Sequence, residues 1–150
     1  MTPGPVAAAR SPKSDPILEH NRSVLLEALR QAGACRALIS YSGYGDSGNE
    51  NEVHVFDGEG QDIPAHADVT VAEPSATFVD GRWDRRQVEA SMPLRDALSD
   101  FADRAVDLHH AGYENNEGGE GEVILDCAAN SVRIEHRDFY VESYSTETEL

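Results

Sequence analysis

The chain has 150 residues, of which 39% are hydrophobic, enough for the core of one domain. Its 28 acidic and 12 basic residues give a net charge of −16, which disfavours nucleic acids and anionic membranes as direct ligands and favours basic partners or cations. No run of about 18 apolar residues predicts a membrane-spanning helix, and two cysteines are too few for a disulfide framework, so the cytoplasm is the default location.

The first predicted element is a helix that follows a tail rich in Pro, Ala and Ser. Residues 1–14 are predicted to be disordered. Asp15 is a good N-cap, Pro16 suits the first helical position, and an apolar stripe predicts a helix over 16–32. A strand over 35–41 comes next.

The middle of the chain reads as strands. One begins near Glu52, and the stretch 62–92 holds the strand-like segments DVTVAE, ATFV and RRQVEASM. Asp80-Gly81, between the last two, is a strong signal for a tight hairpin turn. The nearby sequence RWDRR, at 82–86, is the one basic cluster and reads as a small interaction spot or as partners for surplus acids.

A second helix is predicted from Pro93 to the adjacent His109 and His110. Apolar residues recur at helical spacing on one face, and aspartates recur on the other. Arg104 is spaced to pair with Asp100. The acidic helix face is predicted to comprise Asp100, Asp103 and Asp107, with Asp96 one turn earlier.

Two strands are predicted after this helix, followed by a last short strand that ends in a frayed tail. The order of elements predicts an α+β domain, with a mostly antiparallel sheet of about five to seven strands and two main helices packed on one face. The predicted organisation is a tail over 1–14, a single domain over 15–144 and a frayed C-terminal tail over 145–150.

Gly45-Asp46-Ser47-Gly48 matches the sequence around the nucleophile of one class of serine protease. That class needs a base histidine and an acid earlier in the chain, and only His20 precedes the motif. The spacing also fails the Gly-x-Ser-x-Gly elbow of hydrolases. Ser47 is therefore interpreted as a turn residue, and no catalytic residue is assigned.

Two glycine-rich loops echo each other along the chain. GYGDSGNENEV at 43–53 and GYENNEGGEGEV at 112–123 both begin Gly-Tyr and both lead into a strand. If those two strands are neighbours, the loops meet at one end of the sheet and form a binding patch. Its predicted members are Asp46, Ser47, Glu50, Glu52, His110, Tyr113, Glu114, Asn115, Asn116, Glu117, Glu120 and Glu122.

This patch allows a functional interpretation and a structural one. It could bind a divalent cation or the basic side chains of a partner, because hard cations prefer oxygen ligands. It could equally be two solvated loops whose Asn and Asp residues bond their own turns. No metal site is assigned; in the alternative interpretation Asp46, Glu114 and His110 bind a metal ion, with Glu120 or Glu122 as a base.

The stretches SGYGDSG at 42–48 and HAGYENNEGGEGE at 110–122 resemble a family of small uncharacterised bacterial proteins, a domain of unknown function often carried by plasmids and phages. Its members show Ser-Gly-x-Gly-Asp-Ser-Gly near the first strand and His-x-Gly-Trp/Tyr-Glu-Asn-Asn after the last helix. The resemblance covers about 38–142, and the chain departs from it at Asn49-Glu50. It implies a shared fold and site, and no activity.

The favoured hypothesis is a small acidic binding or regulatory protein without enzymatic activity and without a cofactor. It would be a mobile-element accessory factor that docks on a basic protein partner, and its sharpest form is a nucleic-acid mimic that inhibits a nucleic-acid-binding enzyme. The alternative is a divalent-cation-binding domain or a metal-assisted hydrolase that uses the two acidic loops. Halophilic adaptation or a simply solvated surface would give the same acidic composition, so composition does not distinguish them from these hypotheses. The oligomeric state is left open.

Overall fold

A computed structural model describes residues 15–44, 47–48, 50–111, 118–138 and 144–150. These residues form two helices and eight strands, one of which, β2, is only two residues long. In chain order the elements are α1 Pro16–Gln31, β1 Arg36–Tyr44, β2 Ser47–Gly48, β3 Glu52–Phe56, β4 Asp68–Val79, β5 Arg82–Pro93, α2 Leu94–His110, β6 Gly119–Asp126, β7 Ser131–Asp138 and β8 Tyr144–Glu149. The predicted α+β class is confirmed.

Six of the strands form one antiparallel sheet, and β4 and β5 form a separate hairpin. The order in the large sheet is β2-β1-β6-β7-β8, with β3 also paired to β1. β3 pairs with the first half of β1 and β2 with its end, on the edge opposite β6. This antiparallel arrangement lies within the predicted range of five to seven strands.

The core lies between one face of the large sheet and the two helices. Alternation along the strands turns Ile39, Val123 and Ile134 inward, where each is fully buried. The apolar stripes of the helices, including Leu25 and Leu98, close over them. The prediction that both helices pack on one face of the sheet is confirmed, and within the described part of the chain neither helix is long and apolar enough to cross a membrane.

The N-terminal cap of α1 forms as its sequence predicts. The Asp15 carboxylate accepts hydrogen bonds from the backbone N–H groups of Ile17 at 3.0 Å and Leu18 at 3.2 Å. Farther along α1, the buried Asn21 side chain donates to the carbonyl oxygen of Ala72 and accepts from its N–H. This pair of bonds fastens the base of the β4–β5 hairpin to the helix.

The C-terminal residues differ from the prediction of a frayed tail over 145–150. β8 pairs with β7 from Tyr144 opposite Asp138 to Glu149 opposite Arg133. The N–H of Leu150 donates to the Val132 carbonyl at 2.7 Å, and the Leu150 side chain packs against the core. The sequence of this segment is polar and gives no apolar alternation that would predict a strand. Its strand conformation depends on pairing with β7.

The β4–β5 hairpin is a long ribbon of which only the base is packed. Its two strands pair without interruption for 12 residues each, and β4 continues through Pro74, where the sequence suggests separate segments. Asp80 and Gly81 form the turn with φ of 50° and 78°, which is the left-handed conformation that Asp-Gly hairpin turns require. Residues 74–87, hereafter the arm, project from the body of the molecule.

Candidate functional site

The ends of the strands that flank the two glycine-rich loops lie next to each other. Gly43, near the end of β1, pairs with Gly48 of β2 on one side and with Gly119 of β6 on the other. The strands that follow the two loops, β3 and β6, are not direct neighbours, because β1 lies between them. Pairing with the intervening strand nevertheless brings the strand ends that flank the two loops to one end of the sheet.

Half of the predicted patch lies outside the described residues, namely Asp46, Tyr113, Glu114, Asn115, Asn116 and Glu117. Ser47, interpreted as a turn residue, is instead in the short strand β2, opposite Tyr44. Glu50 is exposed just before β3. The role of the patch in binding stays a prediction.

Glu120 and Glu122 share one face of β6, as their spacing predicts, but an arginine neutralises them. Arg137 on β7 donates from Nη2 to Glu122 Oε2 at 2.7 Å and from Nε to Glu120 Oε2 at 3.3 Å. The hydrogen bond to Glu122 is the largest cause of the raised pKa of Arg137. These two carboxylates are therefore already engaged within the sheet, which makes them weaker ligands for a basic partner.

A row of acidic residues crosses this outer face of the sheet, the face turned away from the helices. Ser40 of β1 is paired with Glu52 on one side and with Glu122 on the other, and the row continues through β7 and β8 to Glu135 and Glu147. Arg133 lies 3.0 Å from Glu135 and 3.7 Å from Glu147. Arginines thus intersperse this row and reduce its net charge.

Three aromatic rings stack on the inner face at the same end of the sheet. The His136 ring is 1% exposed; its Nδ1 is 2.6 Å from Tyr41 Oη and its Nε2 is 2.7 Å from Asp138 Oδ1. His110, at the end of α2, stacks on His136 with the ring centroids 4.1 Å apart. His110 therefore lies on the face of the sheet opposite Glu120 and Glu122, so these three described members of the predicted patch do not share one surface.

The described part of the chain contains no cluster of side chains suited to binding a metal ion. Groups of three or more His, Cys, Asp or Glu side chains suited to a metal ion are absent from those residues. Of the alternative ligand set Asp46, Glu114 and His110, only His110 is described, and the metal hypothesis stays a prediction.

The acidic face of α2 differs from the sheet in that no described arginine forms an ion pair with it. Arg95 uses its three nitrogens to donate to the carbonyls of Val53, Ile63 and Pro64, each at 2.8 Å. The predicted pair of Arg104 with Asp100 is wrong, because Arg104 reaches across to Asp15 instead, with Nε 2.7 Å from Oδ2.

Among the ion pairs of the described residues, none involves an aspartate of the α2 face. The chain places four aspartates on this stripe, and Asp103 accepts a single hydrogen bond from the Asn51 amide. These aspartates are hereafter the α2 acidic face: Asp96, Asp100, Asp103 and Asp107.

Asp100 lies at the rim of a cleft between α1, the hairpin base and α2. The cleft has a volume of 320 Å³, and its walls include Ile17, Val71, Met92 and Phe101. Glu73 of β4 also lines it. Arg104 also lines the cleft, and its charge is matched by Asp15, 2.7 Å away. The cleft thus combines apolar walls with two further carboxylates, a lining that suits a side chain with an aliphatic or aromatic stem and a cationic end.

Partial burial and the neighbouring negative charges raise the pKa of Asp100. Partial burial is the largest cause, and the negative charges of Asp103, Glu73 and Asp96 add to it. A carboxylate whose pKa is raised in the fold costs stability at neutral pH, since its charged form is disfavoured there. The face therefore holds negative charge that the fold itself does not compensate.

Asp15 pairs with Arg104, which lines this cleft, and it is expected to contribute about 2 kcal/mol to stability through the helix cap and the ion pair. Burial raises the pKa of Asp15, but the Arg104 bond and the two backbone N–H groups outweigh it, so the pKa is lowered. Stability from a lowered pKa is present above the unfolded pKa and is lost as the pH falls through the folded one. The native chain should therefore weaken below about pH 4.

Urea denaturation of the native chain, Asp15→Ala and Asp15→Asn tests this expectation. Asp15→Ala should lose both contributions at pH 7, whereas Asp15→Asn keeps a capping oxygen and should lose about half as much. Both variants should lack the contribution that Asp15 makes to the acid sensitivity of the native chain. Equal stability of all three proteins at pH 7 would show that the cap and the ion pair add nothing.

Sequence reasoning missed the residues that join distant segments. Tyr41 and His136 are 95 positions apart, and only the shared position on the inward side of each strand hints at their contact. Glu73 carries no local signal that links it to Asp100. Arg137, placed two residues after Glu135, is recognisable only once the β6–β7 register is known.

Comparison with known proteins places the chain in a family. The model of a family of unknown function, DUF6878, matches residues 17–150, so the chain belongs to that family. The match is longer than the resemblance over 38–142 and includes α1 and β8. Neither the curated proteins nor the solved structures contain a match to this chain.

Proposed function

We propose that this member of the DUF6878 family is a binding protein that docks the α2 acidic face and its adjoining cleft on a basic protein partner. The observation that carries the proposal is geometric: among the described residues no ion pair involves an aspartate of the α2 acidic face, and Asp100 lines an apolar cleft together with Glu73. The raised pKa of Asp100, caused by partial burial and then by repulsion from neighbouring carboxylates, agrees with this geometry. A basic side chain that approached the cleft would relieve this repulsion and would restore the ordinary pKa of the carboxyl group.

The contrast between the two acidic surfaces supports this choice of face. On the outer sheet face, Arg137 engages Glu120 and Glu122 within hydrogen-bonding distance. On α2, both arginines are held elsewhere by Asp15 and by backbone carbonyls. Unpaired charges that oppose folding are typical of surfaces whose complement is supplied by another molecule.

The spacing of the aspartates supports the finer form of the proposal, that of a nucleic-acid mimic. They recur every three or four residues, which places successive carboxylates about 5 Å apart along the helix. A linear row of negative charge is what a protein that grips a phosphate backbone recognises. In this proposal the chain is an accessory factor of a mobile element that inhibits such a protein.

Carbodiimide cross-linking to a synthetic lysine-rich peptide tests where a basic ligand binds. The reagent joins a lysine amine to a carboxylate in direct contact, and mass spectrometry identifies the residue. Most cross-links are expected at Asp96, Asp100, Asp103 and Glu73, and they should fade as salt rises from about 0.05 M to about 0.5 M.

The cross-link pattern also contains its own control, because Glu59 and Glu149 are exposed carboxylates distant in sequence from α2. Non-specific attraction by the net charge would label them as strongly as the α2 acidic face. A uniform pattern, or one centred on Glu120 and Glu122, would contradict the proposal.

A further inference from the structure

The tip of the arm carries apolar surface that the fold leaves uncovered. In the described part of the chain, the large hydrophobic residues that are exposed are Phe78, Val79, Trp83 and Val88, all on the hairpin. Phe78 and Trp83 face each other across the strands in an edge-to-face pair, with ring centroids 5.3 Å apart, and each is 60% exposed. Exposed aromatic pairs of this kind are typical of binding hot spots.

Arginine accompanies the aromatic pair on the same face of the ribbon. Trp83 and Arg85 are two residues apart on β5, so their side chains project from one face. Arg86, on the other face, is engaged by Asp84 at 2.6 Å. Arg85 takes part in no ion pair among the described residues, which leaves a cationic group beside two exposed rings.

The charge of the tip is opposite to that of the body. Residues 76–87 contain three arginines and two aspartates, so their net charge is +1, and the rest of the chain carries −17. From Pro74 to Val79 the uninterrupted ladder extends about 17 Å, which is about twice the screening length at physiological salt. A ligand at the tip therefore experiences mainly the local positive charge, because salt screens the negative charge of the body over this distance.

The cleft beside α2 is the complement of this tip. Its apolar walls match an aromatic side chain, its volume of 320 Å³ is large enough to accept one, and Asp100 and Glu73 supply the negative charge that Arg85 lacks. The arm cannot fill its own cleft, because Glu73 and Pro74 at the base of the arm line that cleft and the ribbon leads away from it. The two surfaces can meet only between two copies of the chain.

We infer that two copies of this chain associate by exchanging arms, with Trp83 of each copy in the cleft of the other and Arg85 against Asp100. Such an exchange is reciprocal, so it closes into a two-fold symmetric dimer. A basic partner and the arm of a second copy would then compete for the same cleft. Although the cleft is shared with the proposed function, the occupant is different, and each idea can fail without the other.

Sedimentation velocity of the full chain from about 1 µM to about 1 mM tests the inference. We expect the native chain to shift from the monomer mass of 16.3 kDa to twice that value, and the shift to move to higher concentration in high salt. Trp83→Ala should remain monomeric over this range. Circular dichroism confirms that each variant is folded, since Trp83 and Arg85 are exposed and lie outside the core.

A charge swap makes the test specific for the arm and the cleft. In a dimer of Arg85→Glu, each new glutamate would face Asp100 of the other copy, and in a dimer of Asp100→Arg, each new arginine would face Arg85 of the other copy. Like charges would meet in both cases, so each variant alone should be monomeric. Mixed together, both contacts regain opposite charges, and the mixture should dimerise. A native chain that stays monomeric, a dimer that survives both variants, or a mixture that stays monomeric would overturn the inference; none of these results bears on peptide cross-linking to α2.

Discussion

Replacing Gly121 by alanine is expected to destabilise the fold by about 3 kcal/mol, which lowers the melting temperature by about 10 °C. A Cβ at this position would overlap the Glu135 carbonyl oxygen and the Tyr41 hydroxyl, and would lie 2.7 Å from Tyr41 Cζ. The carbonyl belongs to the paired strand β7 and cannot rotate away. The Tyr41 ring, which is 5% exposed, would have to leave its place beside His136.

Gly58→Ala is the matched control for this variant. A Cβ there would be 3.4 Å from Cys35 Sγ, which is an ordinary contact, and the backbone at Gly58 is not left-handed. We expect a change of less than about 0.5 kcal/mol in the free energy of unfolding. If the two variants were equally stable, the close packing of Tyr41 over β6 would be refuted.

His136→Ala is expected to cost about 3 to 4 kcal/mol, since it empties a fully buried site and removes a hydrogen-bond partner from both Tyr41 and Asp138. The His110 ring, stacked on His136 at 4.1 Å, would also lose its neighbour. Urea denaturation measures this cost directly, and near-ultraviolet circular dichroism of the tyrosine reports the loss of ring packing.

His54→Ala provides the comparison, because His54 also lies on a strand and pairs with an aspartate. Its side chain is 44% exposed, and its Nδ1 is 3.2 Å from Asp62. An exposed pair of this kind contributes less than about 1 kcal/mol. A cost for His136→Ala as small as that for His54→Ala would mean that the buried ring cluster does not support the fold.

The elements that local signals encode could be predicted from the sequence. The start of α1 at Asp15 and Pro16 is such a local signal. The capping bonds of Asp15 reach only two or three positions along the chain, so they can be predicted from neighbouring residues. Asp80-Gly81 adopts the left-handed turn for an equally local reason. The sharing of one strand face by Glu120 and Glu122 follows from the period of two in any strand.

Contacts between distant segments could not be predicted in this way. Arg104 lies four residues from Asp100 and 89 from Asp15, yet it bonds Asp15, because the packing of α1 on α2 sets which carboxylate is within reach. The same holds for Arg137, whose engagement of Glu122 depends on the β6–β7 register. His110 and Glu120 likewise lie on opposite faces of the sheet, because His110 of α2 stacks on the inward His136 whereas Glu120 projects outward from β6.

The repeated Gly-Tyr motif predicted that the two loops flank the same end of the sheet, but it did not predict which strands pair there. The two loops do flank adjacent strand ends, at Gly43 and Gly119. The strands they lead into are nevertheless separated by β1. A repeated motif can predict that two segments share a neighbour without predicting that they pair with each other.

In the proposed function, the α2 acidic face rather than the total charge recognises a basic partner. The most direct test of this recognition is the affinity of a labelled lysine-rich peptide for two triple variants of equal charge. One carries Asp96→Asn, Asp100→Asn and Asp107→Asn, and the other carries Glu59→Gln, Glu147→Gln and Glu149→Gln at exposed positions. Each changes the net charge from −16 to −13.

We expect the α2 variant to lose about tenfold or more in affinity, since each of three close charge pairs contributes about 0.5 to 1 kcal/mol. The control variant should lose less than about threefold, because its carboxylates attract the peptide only at long range through a salt-screened field. Fluorescence anisotropy at about 0.1 M salt measures both affinities under one condition. An equal loss of affinity in the two variants would contradict the account.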